Sequence, residues 1–396
     1  MSKISYSKQI VVLISVACLL YCEYVIFQIN QSALGGDHTV YCRAADVART
    51  GGNPYLTESL GTHLSWDYLP IYLDAFTLFC FSRLSSEVYY PIYFTLLLIL
   101  SVVLWQPKED WLFAVALASC AFFGFGWSLH SGNIAPLELL FLSIGIAFIK
   151  RNKWTWAAIF LGLLASIKLL PAVYLAIFLF APPGKGSRVK ATLFGILGFI
   201  IPIILSALIH PDLMIWYARQ VLGMIPNQHA PIHEAGGWNN PSLPNMLAAI
   251  AGGNSSASSW LGIGLTIVLV TLGLIWAYRY ILPRTPESER PQLIFMIGLL
   301  ALSLALPRVQ PYSFILFSPV LYWFLRRESS IIQAIVLIIA GIGGIAAYNA
   351  CYTILDLPVL PFWLQYSQMI LLLICIGVIF LSNKIRLSRK QGPYFN

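Results

Sequence analysis

The sequence predicts an all-α polytopic membrane protein of about twelve transmembrane helices, with a long first outer loop containing interfacial or re-entrant helices. Three observations predict it. The 396 residues are 58% hydrophobic and 10% charged, with a mean hydropathy of +0.76, where a soluble domain carries roughly a quarter charged residues. Apolar runs of about 15 to 22 residues recur from one end to the other. The basic residues fall in short clusters beside those runs, the distribution left by the positive-inside rule.

Taken in order, Lys3 and Lys8 precede an apolar run at about 9–29, so the N-terminus is expected in the cytoplasm and residues from 30 onward outside. The run lacks a small-residue cleavage site and reads as an uncleaved helix. A run at about 69–83 makes the charge count fail if it crosses, because Lys150, Arg151 and Lys153 then fall outside. Placed in the interface or re-entering, it restores the count. Crossings are then expected at about 89–105, 111–127, 133–149, 154–167, 170–181, 189–209, 259–279, 292–306, 312–325, 330–349 and 362–382, with both termini cytoplasmic in a multi-pass cell (inner) membrane. Residues 1–396 read as one domain, with large outer loops at 30–88 and 210–258. No internal repeat relates the halves.

The net charge of +8 reports orientation, and no nucleic-acid partner is implied; the partner is the lipid bilayer. The seven cysteines lie mostly inside apolar runs without metal-ligand spacing. A disulfide framework is not expected, although Cys42 and Cys351 are both placed where they can meet on the outer side. His210, His229 and His233 match no zinc signature, so no metal and no cofactor are expected. Gly51-Gly52-Asn53-Pro54 lacks the lysine of a phosphate-binding loop and reads as a turn.

Chemistry is expected on the outer face, where the polar residues gather. Of the 24 Lys and Arg, this topology leaves Arg43, Arg49, Arg83, Lys168, Arg219 and Arg308 outside or in the outer half of the membrane. Asp37 and Asp67 supply carboxylates in the first loop. His130 and Asn133 flank Gly132 in a short outer link, Trp238 and Asn240 lie in the second large loop, and Tyr312 closes the link Pro307-Arg308-Val309-Gln310-Pro311. Each has a plainer reading. Asp37 suits the cap of a following helix, Asp46 suits pairing with Arg49, Lys168 suits snorkelling to headgroups, and Trp238 suits an interfacial anchor.

Several of these stretches resemble a known family. Asp37 followed by Tyr41, Ala44-Ala45 and Gly51-Gly52-Asn53-Pro54-Tyr55, then Tyr68-Leu69-Pro70, Ser131-Gly132-Asn133, Lys168-Leu169-Leu170-Pro171 and Asn240-Pro241-Ser242-Leu243, together resemble glycosyltransferase family 87, polyprenyl-phosphate mannosyltransferase-like enzymes of the GT-C type. Two departures stand out: Gly132-Asn133 replaces a common Gly-Gln, and the 308–312 segment has no histidine. The resemblance implies an inverting transfer of a sugar, mannose- or arabinose-like, from a polyprenyl-phosphate donor to a glycan or lipid acceptor on the extracytoplasmic face. Asp37 is then the catalytic base; Lys168 and Arg308 bind the donor phosphate without a metal; His130, Asn133, Trp238, Asn240, Tyr312 and Asp67 contact substrate. A twelve-helix transporter or flippase is the competing class, and a polymerase using diphosphate-linked glycans is a third.

Overall fold

The computed structural model describes residues 6–29, 36–62, 64–80, 86–107, 109–226, 228, 237, 239–253, 255–354 and 360–390. Among these there are helices and no named strand; a single backbone bridge joins Gly237 to Asn240. The helices are α1 (Tyr6–Ile29), α2 (Gly36–Arg49), α3 (Thr57–Leu60), α4 (Ile71–Cys80), α5 (Ser86–Trp105), α6 (Trp111–Cys120), α7 (Gly124–Ser131), α8 (Ala135–Lys150), α9 (Trp154–Ile167), α10 (Lys185–Ile209), α11 (Pro211–Val221), α12 (Leu243–Ile250), α13 (Ser256–Trp276), α14 (Arg290–Ala305), α15 (Ser318–Leu325), α16 (Ser330–Leu337), α17 (Gly344–Ile354), α18 (Phe362–Gln365) and α19 (Ser367–Lys390). Tighter 3-10 turns occupy Leu170–Leu179 and Pro311–Phe317.

Five stretches among the described residues are long and apolar enough to cross a bilayer: Lys8–Gln28, Trp111–Ser131, Lys185–Ile209, Ser256–Arg284 and Ser330–Cys351. Two of them turn large apolar side chains outward, Leu193, Ile201 and Leu208 on α10 and Trp260, Ile267 and Leu272 on α13. In water such faces carry a large free-energy cost; against hydrocarbon they carry none. The remaining apolar helices are shorter, including Trp154–Ile167 and Leu170–Leu179. At 1.5 Å per residue the 14-residue α9 reaches only about 21 Å, less than the roughly 30 Å of hydrocarbon.

Glycine sets the closest helix pairing. A side chain on Gly162 of α9 meets the Gly195 carbonyl of α10, and one on Gly198 meets the Ile159 carbonyl, so small residues let the two backbones touch. Between α6 and α7 the chain kinks at Phe122 and Phe123, both with positive φ near 55°. The carbonyl of Phe122 is satisfied by the buried Gln368 amide at 2.7 Å, as membrane depth requires of any interrupted helix.

The two ends of the bundle differ. At one, Lys8 pairs with Glu109 at 2.9 Å, Lys150 donates to the Trp105 carbonyl at 2.6 Å, and Arg327 bonds Glu289 at 2.6 Å. Helix α8 links that end to the opposite one, where Gln220 donates to Ser65 and Gln228 to the Tyr55 carbonyl, joining the segment after α10 to the one after α2. A second apolar cluster forms at that end from Val40, Tyr41, Tyr55, Trp66, Tyr68 and Tyr217 with others, separate from the main core.

Two expectations about the first loop meet the structure here. The described part of the run at 69–83 holds a helix of 10 residues, Ile71–Cys80, about 15 Å long against the roughly 30 Å of hydrocarbon, while residues 81–83 lie outside the described residues. The helix packs on α2, and Cys80 at its end forms a disulfide with Cys42 of α2, the Cα atoms 5.4 Å apart. The suggested meeting of Cys42 with Cys351 is therefore corrected: Cys351 is a buried free thiol, its Sγ near the Leu364 carbonyl. Sequence spacing carries no information on which cysteines share a surface, and the hairpin of α2 with α4 decides it.

Candidate active site

The site is built on the first turn of α2. Asp37 lies at the positive end of the helix dipole, and its Oδ2 accepts the Asn133 side-chain N–H at 2.8 Å. Asn133 is oriented in turn: its Oδ1 accepts the Ala135 N–H at 3.1 Å, and its amide also reaches the Tyr41 hydroxyl at 3.2 Å. Tyr41 and Tyr68 share a hydroxyl contact of 2.8 Å. Gly132 makes the approach possible. It sits at φ +72°, and a Cβ there lands 2.6 Å from His38 Cβ. The Ser131-Gly132-Asn133 motif thus docks the α7–α8 link against the start of α2.

Burial pushes the Asp37 carboxyl above the usual carboxylate range, opposed by the Asn133 hydrogen bond and by the charges on Lys168 and Arg308. The same burial lowers the His38 imidazole, which stands edge-on to the Tyr90 ring at 4.4 Å.

Lys168 lies just past α9. Its ammonium is 2.5 Å from Glu138 Oε1 on α8, an ion pair in which the carboxylate side chain is 1% exposed, and it stands 4.7 Å over the Tyr312 ring. Glu138 was not singled out by sequence reasoning. The signal was available: a lone carboxylate inside an apolar helix is a functional candidate by default.

Arg308 acts electrostatically on both Asp37 and Asp67. Its loop is held by Asn240, which accepts the Val309 N–H at 2.9 Å and donates to the Pro307 carbonyl at 3.3 Å, with Ser242 donating to the same carbonyl at 2.9 Å. Asn240 is 1% exposed, so its amide holds the arginine loop, whereas a substrate contact was expected of it.

Asp67 accepts from Ser65 at 3.0 Å and from Gln220 at 3.3 Å. Gln220 accepts from Gln228 at 3.0 Å, and Gln228 donates to the Tyr55 carbonyl at 2.9 Å. Burial raises the Asp67 carboxyl, with Arg308 opposing. His130 ends α7 and stacks edge-on with Trp127 at 5.9 Å. Trp238 lies outside the described residues, as do His229, His233 and Arg83.

Three further cations expected on the outer side have structural partners among the described residues. Arg43 donates to the carbonyls of Leu60 and Gly61, each at 3.0 Å. Arg49 pairs with Asp46 at 3.2 Å, and Arg219 covers Trp216 at 5.0 Å. Lys168 and Arg308 are the two that act on Asp37. An aromatic cavity of about 260 Å³ opens nearby, lined by His38, Tyr41, Tyr68, Tyr90, Ile134 and Ile167 among others. Three of these are the sequence neighbours of Asp37, Asn133 and Lys168. Among the described residues no three His, Cys, Asp or Glu side chains converge as a metal-binding set.

A hydrogen-bonded carboxylate with two cations acting on it and an apolar cavity nearby suits group transfer. Comparison with protein families agrees: the model of glycosyltransferase family 87 matches residues 66–307, more than half of the chain. The chain belongs to glycosyltransferase family 87. It is thus a glycosyltransferase rather than a transporter, with a sugar donor and an acceptor as substrates. No curated protein sequence matches it. The matched stretch holds Asp67, His130, Asn133, Lys168, Trp238 and Asn240, whereas Asp37, Arg308 and Tyr312 lie beyond its ends; their assignment rests on geometry.

Proposed function

We propose that this family 87 glycosyltransferase moves a sugar, mannose- or arabinose-like, from a polyprenyl phosphate to a hydroxyl of a glycan or lipid acceptor on the extracytoplasmic face. Residues 1–396 form one GT-C-type domain of about twelve crossings, both termini cytoplasmic in the cell membrane. The Cys42–Cys80 disulfide supports the outward placement of α2, because disulfides persist in oxidising compartments.

The observation that carries the reading is the Asp37–Asn133 pair standing within the field of Lys168 and Arg308. Asp37 takes the proton of the acceptor hydroxyl as its oxygen bonds to the anomeric carbon. The anomeric bond to the phosphate oxygen breaks on the opposite face, its electron pair goes to that oxygen, and configuration inverts. The departing polyprenyl phosphate gains one negative charge, balanced by Lys168 and Arg308. Burial favours a base whose affinity for a proton exceeds that of an exposed carboxylate.

Helix lengths support a recessed site. Helices α9 and α14, of 14 and 16 residues, are both shorter than a crossing of about 20 residues, which places Lys168 and Arg308 below the headgroups, at the depth of a lipid phosphate drawn inward. The aromatic cavity lined by Ile167, the neighbour of Lys168, accommodates the first isoprene units. Tyr312, beneath Lys168, and Asp67, held by Ser65 and Gln220, face the sugar; Asn240 acts by placing Arg308.

The test is transfer by purified protein in lipid nanodiscs supplied with labelled polyprenyl-phosphate mannose or arabinose and a membrane extract as acceptor. Labelled product with equimolar free polyprenyl phosphate is expected. Transfer from sugar nucleotides alone, in the absence of any polyprenyl carrier, overturns the reading.

A further inference from the structure

We infer that Glu138 is a positioning residue that regulates how tightly Lys168 holds the lipid phosphate, and that it sets the release of the polyprenyl phosphate product. The inference rests on the proposed donor chemistry. The carboxylate is 1% exposed and lies 2.5 Å from the Lys168 ammonium, whose side chain is 23% exposed. The Lys168 ammonium nitrogen is buried beside it while the lysine stem is part-exposed, so Glu138 cannot meet substrate and Lys168 meets it by turning from Glu138. The ammonium has three N–H groups; it contacts Glu138 and stands 4.7 Å over the Tyr312 ring, and its charge acts on Asp37.

A buried ammonium with no counter-ion holds an arriving anion very tightly. That is unhelpful here, because the product carries one more negative charge than the donor and gains more from the same cation. Glu138 neutralises Lys168 in the empty site and competes with the phosphate for it. It thereby lowers affinity for the product dianion more than for the donor monoanion, which keeps turnover from stalling.

The experiment compares wild type with Glu138→Gln in nanodiscs, measuring binding of farnesyl phosphate and of inorganic phosphate, then turnover with and without added farnesyl phosphate. Glu138→Gln is expected to bind farnesyl phosphate about tenfold more tightly, to turn over more slowly, and to be inhibited by it at lower concentration. Glu138→Asp, which retains the charge, is expected to recover wild-type affinity. A purely structural role predicts the opposite direction, weaker binding with lower thermal stability.

Equal or weaker binding by folded Glu138→Gln overturns the assignment. If that variant does not fold, Glu138→Met, neutral and of similar volume, replaces it: tighter farnesyl phosphate binding than wild type supports the inference, and equal or weaker binding overturns it. Failure of wild type to bind farnesyl phosphate overturns the donor reading itself, a result distinct from failure of the Glu138 comparison.

Discussion

The Asn133 side chain donates to Asp37 Oδ2 across 2.8 Å, joining the link between α7 and α8 to the first turn of α2, 96 residues earlier in the chain. This bond both aims the carboxylate and favours its ionised form against the cost of burial.

A pH dependence follows from that balance. Asp37 works as a base only when ionised, and burial holds its carboxyl above the ordinary value of 3.8, so activity rises with pH through that raised value. Asn133→Ala removes a bond that lowers it. The acid limb of the rate profile should move to higher pH by about one to two units, the worth of one hydrogen bond to a charged group. Rate against pH for the two proteins checks this.

Gly132→Ala should disable the same contact by a different route. The residue occupies φ +72°, and a methyl group there strikes His38 Cβ at 2.6 Å and the His38 backbone nitrogen at 3.0 Å. A backbone neighbour cannot yield as a flexible side chain can. Thermal unfolding should show a loss of about 1–3 kcal/mol, with a larger proportional fall in transfer as α2 is displaced.

The polytopic fold was legible because lipid imposes runs of apolar residues whose length and flanking charge survive in the sequence. Charge counting set the run at 69–83 apart from the crossings, and the described part of it holds a helix of only 10 residues, Ile71–Cys80. The kink at Phe122 and Phe123 was not, since neither residue favours positive φ. It is imposed by packing, a Cβ at Gly124 falling 2.6 Å from the Ile315 nitrogen and one at Gly344 falling 2.6 Å from Phe122 Cα. Asp37, Lys168 and Arg308 were singled out from the outer placement that charge counting expects of them. What each does depends on partners far along the chain, Asn133 for Asp37 and Glu138 for Lys168, and pairing across helices leaves no trace in spacing. Asn240 was noticed as a polar residue in an outer loop; only the folded chain shows its amide spent on the backbone at 307 and 309.

That backbone role gives a separate expectation. Asn240→Ala leaves the buried Val309 N–H without its 2.9 Å acceptor, at a cost of about 1–3 kcal/mol, and frees the arginine loop. KM for the lipid donor should rise several-fold more than kcat falls. Arg308→Ala should do the same more severely, and steady-state kinetics with varied donor compares them.

Reduction tests the α2–α4 clamp. The Cys42–Cys80 bond closes a loop with a sequence separation of 38, for which chain entropy gives about 3–4 kcal/mol. Cys42→Ser or treatment with a membrane-permeant reductant should lower the unfolding temperature of the outer segment and reduce transfer, while Cys351→Ser should leave the clamp intact. Melting curves of the three proteins decide it.

The central claim is that Asp37 accepts the acceptor's proton. Asp37→Asn keeps the shape and removes the base, and transfer from labelled polyprenyl-phosphate sugar in membranes of matched expression measures it. The account predicts a fall of at least about a hundredfold with donor binding retained; turnover equal to wild type would contradict it.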